Sequence, residues 1–541
     1  MIRSHGKPFL LILSLTVAAI AGIAALLGSS CSDALDGLQS LIEHSPFAPD
    51  ATIEPMLDGP GSIQTTPHPA TPAPDVDLVV PNGTPVSLDM QQDAVLPLVR
   101  EPHVQLRGDG TDTATVLVLM NGSDLETEYQ EASWDIAEMV RAEQSDRVNI
   151  LIETVGTKKW APTFGISSRR SQRWRVQSGS LALVDDSLGQ LDTTVPSTLS
   201  DFIRWGAENY PADRYILILW DHGGGPVYGF GYDEYQPYES SLTIDEMQIA
   251  LRDGGVYFDL IGMDSCLMSS LEVCCALYEY CDYTLLSEDF EPGCGWSYTG
   301  WLGALNRNPA ISTPDLCKLA IDDTVRYCEQ HLDETDGVTL ALLDEAYMKL
   351  LYTAWVEFAY ANEDALLNAN YSQLRQSTGR THPLLRSIGD WFTDDDATLD
   401  DYCVTDILSV AQNIDSDESA ALVAALERAM VHFGATSNET TLTGISVTLP
   451  YGDASFYSDL KRVFRNAGFD MDYVNWLEKF VAVETASNNH YDFGSWSDLW
   501  NGWDNSDSGF DWSDWFYDDE TNDDPWANDD WFSWLFGGRC R

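Results

Sequence analysis

Two short segments of this sequence hold residue types that could perform nucleophilic chemistry. One is the apolar run Ile216-Leu217-Ile218-Leu219-Trp220, which ends in Asp221-His222-Gly223-Gly224-Gly225. The other is Leu260-Ile261-Gly262-Met263, which ends in Asp264-Ser265-Cys266-Leu267-Met268. A thiol is a weak nucleophile until it loses its proton, and an adjacent imidazole can take that proton. A helix is predicted over Leu267 to Glu279, which would place Cys266 at a helix N-terminus, where the dipole favours a thiolate. Attack on an acyl carbon places negative charge on oxygen, and backbone N–H groups must receive it. Gly223 lets the chain approach closely, so its N–H is one candidate donor and that of Cys266 is the second. Either residue alone reads as structural, because cysteine is among the most buried residue types. Joint placement at two strand ends is what points to chemistry.

The elements that would position them form an alternating pattern. Thr115 to Met120 is a continuous apolar run that stops at Asn121-Gly122; a helical pattern follows from Leu125 to Ala142, then a strand at Val148 to Glu153. Strand, helix, strand at this spacing predicts a parallel sheet. Further strands are predicted at Leu181–Val184, Arg214–Trp220, Leu260–Met263 and Tyr283–Leu286, with helices at Thr198–Glu208 and Ile244–Arg252. The second half continues with helices at Pro314–His331, Glu345–Tyr360, Asp401–Ile414, Glu418–His432 and Tyr473–Glu484, and strands at Val338–Leu343 and Gly444–Pro450. Ligands bind beyond the carboxyl ends of strands in open parallel sheets. A helix between the two chemical strands lets them be parallel neighbours, with His222 and Cys266 side by side.

Composition narrows the function classes. The chain has 541 residues, 44% hydrophobic, with 86 acidic against 29 basic side chains and a formal net charge of −57. Nucleic acid is excluded as a partner, because its phosphates need Lys and Arg. Such a charge also disfavours docking on anionic lipid and favours basic ligands. Arg3 and Lys7 precede an apolar run from Pro8 to Leu27, the pattern of an export signal long enough to span a bilayer. Two readings stand for residues 1–31: a lipoprotein signal with Cys31 as the lipidated residue, although Gly28 occupies the usual lipobox leucine position, or an uncleaved anchor. Either puts the chain outside the cytoplasmic membrane of a bacterium, tethered or secreted. Residues 32–112 are rich in Pro, Thr, Asp and Gly and read as a linker. Residues 113–310 and 311–484 read as the core and its C-terminal part. Residues 485–541 read as an acidic, Trp-rich, low-complexity tail. The ten cysteines show no zinc spacing, and their pairing is not readable.

The two segments resemble the catalytic strands of the clostripain family of cysteine peptidases, in the caspase–gingipain clan. In that family one strand ends in His-Gly and a later one in Asp-Ala/Ser-Cys-Leu/Met-Met. The similarity extends to Met120-Asn121-Gly122-Ser123-Asp124-Leu125-Glu126, to Ser287-Glu288, to Pro292-Gly293-Cys294-Gly295-Trp296-Ser297-Tyr298, and to the Asp401–Ile414 and Gly444–Pro450 segments. It covers about Thr113 to Glu484. The resemblance implies a caspase-like α/β/α sandwich with a mostly parallel sheet, a monomer, and endopeptidase activity through a His222/Cys266 dyad that needs no third acidic member. It implies protein or peptide substrates with Arg or Lys at the scissile position, held by acidic groups. Asp264 matches the family's motif acid, and Glu288 or Asp289 is the candidate second acid. Asp264 reads equally as an N-cap for the helix after Cys266. Calcium dependence occurs in the family, yet no calcium loop is readable here. Family members often cut themselves between histidine and cysteine, but that stretch holds only Arg252, inside a predicted helix. An exposed basic cluster is expected earlier, at Lys158, Lys159, Arg169, Arg170, Arg173 and Arg175.

Two rival readings remain. His222-Gly223-Gly224-Gly225 resembles the oxyanion motif of esterases, but the chain has no GxSxG elbow. The second rival is a catalytically silent surface protein that uses the same fold for binding.

Overall fold

Apolar side chains alternate between two faces along the central strands and so divide the interior into two cores. On β1 (Ala114–Asn121), Leu117 and Leu119 join one core while Val116, Val118 and Met120 join the other. On β5 (Arg214–Trp220), Leu217 and Leu219 face the first core and Ile216, Ile218 and Trp220 the second. This is the period of two that a strand imposes. Full burial of each such side chain stabilises by about 1.5–3 kcal/mol. The computed structural model describes residues 100–236, 240–331, 337–368, 403–414, 416–437, 442–451 and 454–482. The expected export signal with Cys31, most of the expected linker and the expected low-complexity tail lie outside the described residues.

The sheet has nine strands in the order β10-β8-β7-β6-β5-β1-β2-β3-β4. The five central strands are β2 (Val148–Val155), β1, β5, β6 (Phe258–Asp264) and β7 (Cys281–Leu286), and they pair in parallel. Antiparallel pairs finish both edges: β3 (Gln172–Gln177) with β4 (Ser180–Asp185), and β8 (Thr339–Asp344) with β10 (Met430–Ala435). The short strands β9 (Val404–Asp406) and β11 (Ser446–Thr448) pair separately. Helices α1 (Glu131–Arg141), α5 (Tyr298–Arg307) and α6 (Thr313–His331) cover one face. Helices α2 (Pro196–Asn209), α3 (Ile244–Gly254), α4 (Leu271–Leu277) and α7 (Met348–Ala361) cover the other. The result is an α/β/α sandwich with a mostly parallel sheet.

Several sequence expectations change. The helix expected over Leu125–Ala142 is broken at Gln130, which stands in the left-handed region at φ 66° between a π-turn and α1. The helix expected directly after Cys266 begins only at Leu271, with Ser270 as its cap accepting from the Val273 N–H. Cys266 is therefore not at a helix N-terminus, and Asp264 is not the cap. Strand β3 was not expected, because its two arginines disguise the alternation. Arg173 is not exposed: its guanidinium is buried 2.5 Å from Glu153 and stacks 4.7 Å from the Trp205 ring. The segment Met430–Ala435 is a strand rather than the end of a helix. The last part of the expected linker docks on the domain, where Asp282 accepts from the Arg100 guanidinium at 2.9 Å and from the His103 and Val104 N–H groups.

Candidate active site

Strands β5 and β6 are adjacent and parallel, and their register pairs Trp220 with Asp264. The Asp221 N–H continues the ladder onto the Asp264 carbonyl at 3.3 Å. His222 and Cys266 each lie two residues beyond that pair, so the sheet delivers them to neighbouring positions at its carboxyl edge. The next residue sets how close the two chains come. A Cβ on Gly223 would stand 2.0 Å from the Cys266 carbonyl oxygen. That contact is with backbone, which cannot rotate away, so this position must be glycine. Gly223→Ala is expected to separate the two strand ends and reduce peptidase activity at least ~100-fold, since misplacement by about 1 Å can cost that much. A kcat measurement on folded variant checks this.

Among the described residues, neither the Gly223 nor the Cys266 N–H donates to a backbone carbonyl. After Cys266 the chain turns sharply, with Leu267 in the left-handed region at φ 64°. Its N–H donates to the Asp289 carbonyl at 2.9 Å, which holds the turn against the segment after β7.

His222 is buried, and its Nε2 lies 2.9 Å from Asp124 Oδ1. Burial works against the imidazolium, but the Asp124 carboxylate, supported by Asp221, outweighs it and raises the His222 pKa above its ordinary value. The Asp124 carboxyl is lowered: burial opposes, and the His222 charge prevails. Asp221 ties the end of β5 to the end of β1 and to the segment at Tyr232. Its carboxylate accepts from Ser123 Oγ at 2.7 Å and from the Tyr232 N–H at 2.6 Å, and burial pushes its pKa up to about 7.

Cys266 is half-buried, and its Sγ accepts from the Glu291 N–H at 3.2 Å. Burial, with the nearby Glu291 and Asp289 carboxyls, pushes the thiol up to about 12. Its resting form is the neutral thiol.

Next to this edge lies a set of buried carboxyls. Asp264 accepts from the Trp296 N–H at 3.1 Å and from the Tyr298 hydroxyl at 2.7 Å. Glu291 accepts from the Trp296 indole at 3.0 Å, and Asp135 from the Trp220 indole at 2.7 Å. The Gly295 backbone lies over the set, since a Cβ there would meet Asp135 Oδ2 at 2.6 Å and Asp264 Oδ2 at 3.2 Å. Burial raises all three, and charge repulsion from Asp264 adds to the rise at Asp135 and Glu291. Asp264 is pushed only to about 6, because Tyr298 and Trp296 donate to its anion. At neutral pH the negative charge therefore resides on Asp264.

Of the two expected second acids, Glu288 is engaged elsewhere, while Asp289 stays near the Cys266 thiol. Glu288 accepts from the Gly444 N–H at 2.7 Å, and Asp289 Oδ1 accepts from the Phe290 N–H at 2.6 Å. The residues that the structure brings to Asp264 are Glu291 and Asp135, which sequence reasoning missed, as it missed Asp124. A signal for Asp135 existed: Glu131, Asp135 and Glu138 recur at helical spacing on the face of α1 that turns inward. Among the described residues no group of three or more His, Cys, Asp or Glu side chains could hold a metal ion.

The clostripain family model matches residues 118–441, which include both strand ends. The chain belongs to the clostripain family. It is a cysteine peptidase. The chain is similar to a secreted C11 cysteine protease from Bacteroides thetaiotaomicron solved with an irreversible peptide inhibitor, at 15% identity and a TM-score of 0.48, over 66% of this chain and 100% of that one. It is similar as well to an inactive zymogen C11 protease from Parabacteroides distasonis, at 16% identity and a TM-score of 0.45, over 68% of this chain and 99% of that one. No curated protein matches it.

Proposed function

We propose that this clostripain-family peptidase is exported and cleaves peptide bonds after Arg or Lys with His222 as base and Cys266 as nucleophile. The observation that carries this reading is the β5–β6 register, with Gly223 against the Cys266 carbonyl and Asp124 behind the imidazole. In this reading Nδ1 of His222 serves the thiol while Nε2 bonds Asp124. Because the resting thiol is neutral, proton transfer to His222 accompanies attack on the scissile carbonyl. The tetrahedral oxyanion is received by the Gly223 and Cys266 N–H groups. The C–N bond breaks as the imidazolium gives its proton to the leaving amine, which leaves a thioester on Cys266. Water, deprotonated by His222, then hydrolyses the thioester. Asp264 holds the substrate's cation, with Glu291 and Asp135 as reserve acids that can ionise when a cation arrives. Export rests on Arg3, Lys7 and the apolar run to Leu27. Among the described residues no helix is long and apolar enough to cross a membrane.

A peptide library offered to residues 32–541, with and without a thiol alkylator, tests the reading. Cleavage after Arg or Lys that the alkylator abolishes is expected; alkylator-resistant cleavage, or none after basic residues, would overturn it. The role of Asp124 has its own measurement. Asp124→Asn removes the charge that sustains the imidazolium and is expected to lower kcat by about 10–100-fold, with KM little changed. The alkaline limb of imidazole titration, followed by NMR, should shift to lower pH in the same variant.

A further inference from the structure

The segment after Glu291 is fastened along α6 at successive points. Gly300 lies so near Asp323 that a Cβ would meet its Oδ2 at 2.1 Å, and the Ser297 N–H donates to Thr324 Oγ1 at 2.9 Å. Thr324 and Cys328 are one turn apart on the buried face of α6. As the chain is followed back from Gly300 to Cys294, its contacts therefore climb α6 from Asp323 towards Cys328, and the Cys294 and Cys328 thiols are neighbours on one apolar cluster. Cys328 is 1% exposed, and Cys294 packs, partly exposed, on the same apolar cluster. The Cys274, Cys275 and Cys281 thiols form a separate neighbourhood, with Cys274 3.9 Å from Thr284 Oγ1 and Cys281 3.7 Å from the Leu277 carbonyl.

We propose that Cys294 and Cys328 are a disulfide-forming pair, closed by a small-molecule or protein disulfide, that locks the loop beside the nucleophile onto α6. One thiolate attacks the oxidant's S–S bond and forms a mixed disulfide; the second displaces the remaining oxidant sulfur. One S–S bond forms in the protein, one breaks in the oxidant, and the two hydrogens leave on the oxidant's thiols. The locked loop carries the Glu291 N–H that faces Cys266 Sγ and the Trp296 N–H that faces Asp264. The neighbouring thiol and burial hold Cys294 well above its ordinary range, so closure is slow at neutral pH and faster as pH rises.

The experiment uses the full chain carrying Cys266→Ala, so that the nucleophile does not compete for oxidant. The protein is incubated with glutathione disulfide at alkaline pH, alkylated, and digested with chymotrypsin, because the tryptic peptide from Asp253 to Arg307 still holds Cys274, Cys275, Cys281 and Cys294 in this variant. The expected product is a cross-linked peptide pair containing Cys294 and Cys328 that separates on reduction. Oxidised protein should also melt above the reduced form, a shift lost in Cys294→Ala and in Cys328→Ala. Cys294→Ala alters a partly exposed position and carries the test alone if the buried Cys328→Ala fails to fold. Persistence of both thiols in alkylated form, or pairing of either with another cysteine, would overturn the proposal.

Discussion

Hydrolysis of an Arg- or Lys-containing fluorogenic peptide is expected to fall by about 10⁴-fold or more in Cys266→Ala and in His222→Ala. The thiol supplies the bond-forming electrons, and the imidazole takes its proton. The two losses should not add, because both residues serve one proton transfer and one attack. A double variant no slower than either single variant, measured by kcat/KM on protein with unchanged circular dichroism, supports that coupling; full activity in either single variant would remove the dyad. The resting protonation state adds a second readout. With the Cys266 thiol pushed up to about 12, the nucleophile rests as the protonated thiol before substrate arrives. Alkylation by iodoacetamide should then rise about tenfold per pH unit without levelling near neutrality, since only the thiolate reacts. A plateau beginning near pH 7 would indicate a preformed thiolate–imidazolium pair instead.

Asp264→Asn should lower kcat/KM for peptides with Arg or Lys at the scissile position by about 10²–10³-fold. Breaking a buried ion pair costs about 3–5 kcal/mol, and each 1.36 kcal/mol is tenfold. The loss should appear mainly for basic substrates, so the ratio of basic to apolar cleavage is the decisive measurement. An equal loss on both would make Asp264 a support for Trp296 and Tyr298 rather than a specificity group. The pH dependence has a fixed sign. Burial pushes the Asp264 carboxyl up to about 6, so its charge is present above that pH and disappears below it. In the wild type, kcat/KM for basic peptides should therefore fall more steeply below about pH 6 than protonation of His222 alone produces, and this added steepness should be missing in Asp264→Asn.

Asp135 and Glu291 extend the same account. A cation placed against Asp264 would lower the carboxyls beside it, so binding of a basic substrate is expected to release protons from this set. The set was only partly legible beforehand. Asp264 stands two residues before Cys266, and the resemblance to the family's motif acid names it. Glu291 could not be separated from Glu288 and Asp289, because a loop has no period that says which side chains turn back. The expectation about the start of the helix after Cys266 failed for a related reason. Leu267 to Ser270 are apolar and small enough to continue a helix, yet the Leu267 and Ser269 N–H groups bond to the Asp289 and Ser287 carbonyls instead. Tertiary hydrogen bonds outcompeted local propensity there.

The sequence by itself determined the central parallel strands, the helices between most of them, the membership of the clostripain family and the two strand ends that carry His222 and Cys266. Those are local properties: apolar runs, their spacing, and a glycine after a histidine. Only the tertiary structure decided what stands around the pair. Asp124 reaches His222 across 98 residues of chain, Asp135 joins Asp264 from α1, and Gly223 touches the carbonyl of the nucleophile itself. The reason is physical. A charge acts on whatever shares its buried volume, and strand register and helix packing, rather than neighbours in sequence, determine which groups share it.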